Sequence, residues 1–291
     1  MSSLADGAPR VSLPGGRRLS RTATAAGVWL IMATLAISTL YPLVFLTMTA
    51  LRTDDDYFAN PAGVPSHWTF DNVTTAFFDV GLGRYALNSF VVVVAAVIVL
   101  TVVACLAAYA LVHFEFPLRR TTLVVVVAMM ALPPTVLMIP IFKVVLDLGM
   151  LNTRLGLVLV YASLNLPFSI YLMTAYMRSV PVELLNAAKV DGAGTLRMLW
   201  SVVLPLVRPG LMTLMTLNFL ILWHELLFSL LILPEEDSRT IMVGIVQLYG
   251  QFQTGTGVIS AGLLLSVIPP LLIFLLFQRD IARGMTAGAV K

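Results

Sequence analysis

Charge is the scarcest resource in this chain. Of 291 residues only 11% are Asp, Glu, Lys or Arg, whereas 59% are hydrophobic. Soluble domains carry about a quarter of their residues as charges, so this composition excludes a soluble globular protein and leaves an integral membrane protein. Cysteine is nearly absent too. Cys105 stands alone inside an apolar run, which rules out an intramolecular disulfide, a CxxC redox pair and a multi-cysteine metal site. The three histidines, His67, His113 and His224, fall in different parts of the chain and do not gather the way a membrane enzyme's site would require. None of the three lysines, Lys143, Lys189 and Lys291, follows a glycine, so there is no Walker A loop and no ATPase chemistry. No internal repeat is evident, and an inverted one is what many ion-coupled secondary transporters would show.

What the chain has in abundance is apolar runs. Six are long enough to cross a hydrocarbon core of about 30 Å at about 1.5 Å per residue: residues 23–50, 87–112, 122–142, 155–177, 211–233 and 258–277. Arginine and lysine alternate unevenly between the segments that join them. Arg10, Arg17, Arg18, Arg21, Arg119, Arg120, Arg178, Lys189, Arg197, Arg208, Arg279, Arg283 and Lys291 make one set of 13; Arg52, Arg84, Lys143, Arg154 and Arg239 make the other set of 5. By the positive-inside rule the first set is cytoplasmic. The expected fold is therefore an all-α membrane protein of six spans with both termini in the cytoplasm. Its parts are a mobile basic tail (1–22), a transmembrane body (23–278) containing a long cytoplasmic loop (178–210), and a short C-terminal tail (279–291). The basic start is a retained first helix, because the apolar run behind it is too long for a secretory signal.

Proline interrupts several spans: Pro133, Pro134 and Pro140 in the third, Pro167 in the fourth, Pro269 and Pro270 in the sixth. Each removes a backbone hydrogen bond and is expected to open a kink. The acidic triplet Asp54–Asp56 reads as a solvated outer loop rather than a metal site, and Asp71–Phe78 as a short interfacial helix. The fifth span is the polar one. Asn218, Trp223 and Glu225 lie on it with His224, and an acid about 21 Å along a spanning helix is a candidate for the translocation path. Its alternative role is pairing with a neighbouring helix. The outer loop that follows, 234–257, ends in a glycine-punctuated tip bearing Tyr249, Gln251 and Gln253, the composition of a contact loop.

The most informative stretch is Pro181–Gly210. Thirty residues are far more than a turn between two spans requires, and their pattern is helical. Pro181 and Glu183 suit a helix start. Val182–Val190 reads as one short helix with Ala187 and Ala188 giving it a smooth face. Asp191–Gly192 ends it, since glycine adopts the left-handed exit. A second amphipathic segment carries Leu196, Leu199, Trp200 and Val203 at helical spacing, and Leu204–Pro205 and Pro209–Gly210 are expected to break it.

Asn186–Ala187–Ala188, three residues, Gly192, nine residues, Val202, one residue, Leu204–Pro205 resembles the EAA signature of bacterial ABC importer permeases. Asn186 stands where the motif has glutamate, with Glu183 one turn earlier, and Val202 stands for isoleucine. Tyr85–Ala86–Leu87–Asn88–Ser89, Trp223–His224–Glu225 and the tail from Phe277 to Lys291 are similar to the carbohydrate branch of that family, the relatives of the smaller maltose permease subunit. The resemblance implies a multi-pass permease of a bacterial plasma membrane that moves a sugar or oligosaccharide inward by alternating access. Glu183, Asn186, Ala187, Ala188, Asp191, Gly192, Leu204 and Pro205 would couple it to a separate ATPase dimer, where ATP and magnesium would bind; no cofactor is expected on this chain. Tyr249, Gln251 and Gln253 would meet an extracytoplasmic solute-binding protein. A second homologous permease subunit and membrane lipid complete the expected partners, and nucleic acid is not among them. Another polar solute, such as a glycerol phosphodiester, is the alternative cargo.

Overall fold

In the computed structural model, residues 16–251 and 255–289 are described, with side-chain burial given for residues 26–250 and 255–281. All regular structure among them is helical. Four helices are apolar and long enough to cross a membrane: α1 (Gly16–Ala50), α4 (Leu82–His113), α7 (Arg154–Arg178) and α13 (Thr256–Ala289). Between them lie α2 (Asp54–Ala59), α3 (Asp71–Thr74), α5 (Arg119–Met129), α6 (Met138–Asp147), α8 (Val182–Val190), α9 (Thr195–Leu206), α10 (Arg208–Trp223), α11 (Leu227–Ile232) and α12 (Ile241–Gln251). The short helix read at Asp71–Phe78 is there, its second half wound as a π-turn over Thr75–Asp79.

The prolines act selectively. Pro133 and Pro134 split the third apolar run into α5 and α6, which meet at 94°. Pro140 causes no break, because it falls in the first turn of α6, where a missing N–H costs nothing. Pro42, Pro167, Pro269 and Pro270 sit inside continuous helices. Leu204–Pro205 does not break the loop's second helix. A π-turn over Leu199–Val203 widens the ladder just ahead of Pro205, where its ring would otherwise strike the carbonyl four residues back. The break comes at Val207, where α9 and α10 meet at 81°, and Pro209 is absorbed in the first turn of α10.

The fifth apolar run is not one helix either. The regular helical ladder is interrupted at His224–Leu226, so α10 ends before Glu225 and α11 starts afresh. The stretch 234–257, expected to be an outer loop with a flexible tip, contains α12. Ile241, Ile245 and Leu248 recur at helical spacing on its buried side, a period masked by the surrounding glycines and glutamines. The two expected tails are partly helical: α1 begins at Gly16 and α13 runs to Ala289.

Three apolar clusters hold the bundle. The largest joins α4, α7, α10, α11, α12 and α13 around Leu100, Leu157, Tyr161, Trp223 and Leu248. A smaller one gathers Ala104, Leu111, Val126 and Ile170 where α5 meets α4 and α7. The remaining cluster binds the long loop to the bundle: Ala108 and Tyr109 of α4, Met173 and Met177 of α7, Leu185 and Ala188 of α8, Met198, Leu199 and Val203 of α9, and Leu214 of α10. Each buried leucine, methionine or valine among them contributes about 1.5–3 kcal/mol. The loop is thus a fixed part of the body.

Candidate functional site

The loop builds its leading helix as the sequence implies. Pro181, in extended conformation, precedes α8 with Glu183 in the first turn and Lys189 in the last, each favourable to the helix dipole. Asp191 accepts no further turn, and Gly192 takes φ +75°, the left-handed exit. The Gly192 amide donates to the Lys189 carbonyl at 3.0 Å and the Ala193 amide to the Ala188 carbonyl at 2.9 Å, closing the helix end. At its base the Tyr109 hydroxyl donates to the Thr195 carbonyl at 3.3 Å, tying the loop to α4.

The two alanines of α8 do not share a face. Ala188 and Leu185 point into the body as anchors, while Ala187 is exposed. Val182, Asn186 and Val190, spaced four apart, form the outward row, with Glu183 and Ala187 beside it; Val190 is 88% exposed. The second helix divides likewise. Met198, Leu199 and Val203 are buried, whereas Leu196 and Trp200 are open to the surroundings. Asp191, Gly192 and Pro205 are exposed and Leu204 is half-buried. The loop therefore presents an uncovered row of small and apolar side chains on a rigidly seated helix.

Asn218, Trp223 and Glu225 of the fifth run turn inward, each to a different partner. Asn218 is fully buried; its amide nitrogen donates to the Leu214 carbonyl at 2.9 Å and to Ser169 Oγ at 3.2 Å. Trp223 Nε1 donates to the Ser266 carbonyl of α13 at 3.0 Å. Glu225 caps α11: its carboxylate accepts the Phe228 and Ser229 amides at 2.9 and 3.1 Å, and Tyr161 Oη donates to it at 2.8 Å. Exposed His224 donates through Nδ1 to the Leu220 carbonyl at 2.8 Å.

At the opposite end of the bundle from α8, the structure assembles a polar clasp whose members the sequence presented without roles. Asn88 donates to the carbonyls of Asp237 and Arg239 at 2.9 and 3.0 Å and accepts from Arg154 at 2.8 Å. Ser89 Oγ accepts the Ile241 amide at 2.8 Å, setting the start of α12. Arg84 pairs with Asp237, and Ser238 Oγ donates to Asn152 Oδ1 at 2.6 Å. The signal was present in the Asn88–Ser89 pair, but only the fold shows that it holds the segment 236–241. Arg52, 1% exposed, gathers the carbonyls of Asn60, Pro61 and Gly63 and organises the loop that follows α1. Nearby, the hydroxyl and amide of Ser66 hold the Asp56 carboxyl below the usual carboxylate range. Tyr249 is exposed on α12, not on a flexible tip; the side chain of Gln251 and all of Gln253 lie outside the described residues.

Four apolar helices of crossing length, packed with two bent helix pairs, define an integral membrane protein. Residues 101–287 match the family described as "Binding-protein-dependent transport system inner membrane component", and the chain belongs to that family. It is a membrane permease subunit of a binding-protein-dependent transporter, not an enzyme. The chain is 32% identical to the diacetylchitobiose uptake system permease protein NgcG of Streptomyces coelicolor over 88% of this chain and 85% of that one. It is also 32% identical to the trehalose transport system permease protein SugB of Mycobacterium tuberculosis, over 91% and 98%. Among solved structures, a bacterial ABC transporter that imports the acidic polysaccharide alginate shares the fold. A chain of it superposes with a TM-score of 0.77 over 92% of this chain and 98% of that one, at 23% identity.

Proposed function

We propose that this chain forms part of the membrane pathway of an ATP-driven sugar importer and that α8 is the element through which a partner ATPase drives it. The observation that carries the reading is α8 itself. It is a helix of nine residues, seated inward by Leu185 and Ala188 and uncovered along Val182, Asn186 and Val190. A force applied to that row passes through the shared cluster to α4, α7 and α10. Asn186 sits in the middle of the row and can offer amide hydrogen bonds where the motif has a carboxylate; Glu183 on the adjoining row supplies the charge.

The chain is read as crossing the membrane six times with both termini inside. Residues 119–147 form the third crossing as a bent pair, and α10 with α11 forms the fifth. The 13-to-5 distribution of basic residues supports that orientation. α1 supports a second permease subunit: the apolar window within Ala26–Ala50 is wholly unburied by its own chain and offers a face for another helix bundle or for lipid. The solute-binding protein is assigned to the outer surface around Tyr249, Gln251 and Gln253. Asn218, Trp223 and Glu225 are proposed to frame the translocation path from behind, since their polar atoms hold α10, α11 and α13 together.

The relatives named for diacetylchitobiose and trehalose support a sugar or oligosaccharide as cargo. Val190→Asp places a charge at the end of the uncovered row without touching the chain's own core. It is expected to abolish uptake and co-purification of the ATPase while membrane insertion is retained. Normal co-purification would refute the coupling role of α8. Uptake of labelled oligosaccharides against a labelled glycerol phosphodiester, measured in the reconstituted complex, decides the cargo.

A further inference from the structure

The clearest site outside the features above is a basic groove at the end of the bundle that carries α8. It lies where the end of α4, the start of α5 and the end of α7 meet, and it encloses about 570 Å³. Arg119, Arg120 and Arg178 line it together with the apolar side chains of Leu111, Phe116 and Leu118. Among the described residues no carboxylate lines it.

The three guanidinium groups differ in what they already do. Arg119 is committed: Nε donates to the Leu111 carbonyl at 2.7 Å and an Nη to the Val112 carbonyl at 3.1 Å, capping the end of α4. Arg120 and Arg178 are exposed, and among the described residues neither has a hydrogen-bond or ion-pair partner. Two unpaired cations face one groove at the start of α5, an eleven-residue helix whose positive end opens there. Like charges lining one groove repel one another, so the arrangement favours an anion between them.

The rest of the lining selects the kind of anion. Leu118 is held at φ +68°, a conformation that costs a leucine about 1–2 kcal/mol. It thrusts a 73% exposed apolar side chain out at the mouth, next to Phe116. A small hydrated anion gains nothing from those side chains. A molecule with a phosphate at one end and acyl chains at the other satisfies both halves of the groove.

We propose that this groove binds the phosphate headgroup of an anionic phospholipid of the cytoplasmic leaflet, with Arg120 and Arg178 on the phosphodiester and Phe116 and Leu118 against the upper acyl chain. Basic pockets between helices at the cytoplasmic surface have the chemistry for such headgroups. Because Arg178 is the last residue of α7 and α8 begins at Val182, a lipid held there steadies the short turn that leads into α8. The assignment of the leaflet rests on the orientation proposed above.

Native mass spectrometry of the purified full-length chain in detergent, titrated with phosphatidylglycerol or phosphatidylcholine, tests the site. Phosphatidylglycerol should bind in preference. Arg120→Gln with Arg178→Gln should weaken it about 25-fold, at about fivefold per arginine, and leave phosphatidylcholine unchanged. Arg197→Gln with Arg208→Gln, which removes the same two charges outside the groove, should change nothing. Equal loss in that pair would show diffuse surface charge and overturn the proposal. So would displacement of the lipid by millimolar inorganic phosphate, which would mark a site for small anions only. Elution profiles of the variants on size exclusion report their folding; if the double variant misfolds, Arg178→Gln alone should still weaken phosphatidylglycerol about fivefold, and unaltered binding there refutes the site. Orientation is read separately by labelling Thr121→Cys with an impermeant maleimide in intact cells. Labelling from outside would overturn the cytoplasmic leaflet while leaving binding in detergent intact.

Discussion

At the scale of single residues, scarce polar groups are spent on holding backbone in place. Glu225 is an example: an acid in an apolar run reads as a functional group, yet its two oxygens accept two amides of α11 and the Tyr161 hydroxyl. Leaving those amides without an acceptor costs about 1–3 kcal/mol. Glu225→Ala is therefore expected to lower the thermal stability of the purified protein, and Tyr161→Phe to do so by a smaller step. An unchanged unfolding temperature in Glu225→Ala would return this carboxylate to the list of path residues. Gly192 makes the complementary case. At φ +75° no neighbour crowds a added side chain, so only backbone conformation opposes substitution. Uptake should fall in the order Gly192→Asn, Gly192→Ala, Gly192→Pro, because asparagine tolerates the left-handed region, alanine pays about 1 kcal/mol and proline cannot enter it. Equal uptake in all three would mean that the exit geometry of α8 does not matter.

At the scale of elements, the period of apolar residues located the helices, and what lies between them was harder to read. Val182–Val190 was legible to the residue because proline, an acidic first turn and a glycine exit all agreed. The division of Ala187 from Ala188 was not, since it depends on which side of α8 faces Leu199 and Met177. Pro205 illustrates a different limit. A proline predicts a break only if the ladder stays α-helical, and the π-turn ahead of it removes the clash. Close approach of helices is likewise invisible in one dimension. Gly210 at the start of α10 is buried directly against the Tyr176 ring of α7, and a methyl group there would overlap the ring's base. Gly210→Ala should cost about 1–3 kcal/mol by overpacking, read as a lower unfolding temperature. Combining it with Tyr176→Ala should recover part of that loss. No recovery would place the strain elsewhere.

At the scale of the whole molecule, the two ends of the bundle use their arginines differently. Around the loop that follows α1 and the clasp, Arg52, Arg84, Arg154 and Arg239 each bond within the chain. At the other end only Arg119 does so among the described residues, and Arg120, Arg178, Arg197 and Arg208 are left open. The charge count gives these groups opposite sides of the membrane; Thr195→Cys is accordingly expected to react with an impermeant maleimide only in inverted vesicles. Reaction in intact cells would reverse the orientation.

Composition alone decided that this protein lies in a membrane, because 11% charge cannot cover a soluble surface of this size. Spacing alone decided the existence and length of α8 and pointed to the permease family, because caps, turns and helical period are local and act within a few residues. Tertiary structure decided which face of α8 is free, that Asn218, Trp223 and Glu225 turn inward, and that Asn88 and Ser89 grip a segment some 150 residues later. Those outcomes depend on contacts between residues far apart in the chain. Burial and hydrogen-bond satisfaction are properties of the packed bundle, and no local pattern carries them.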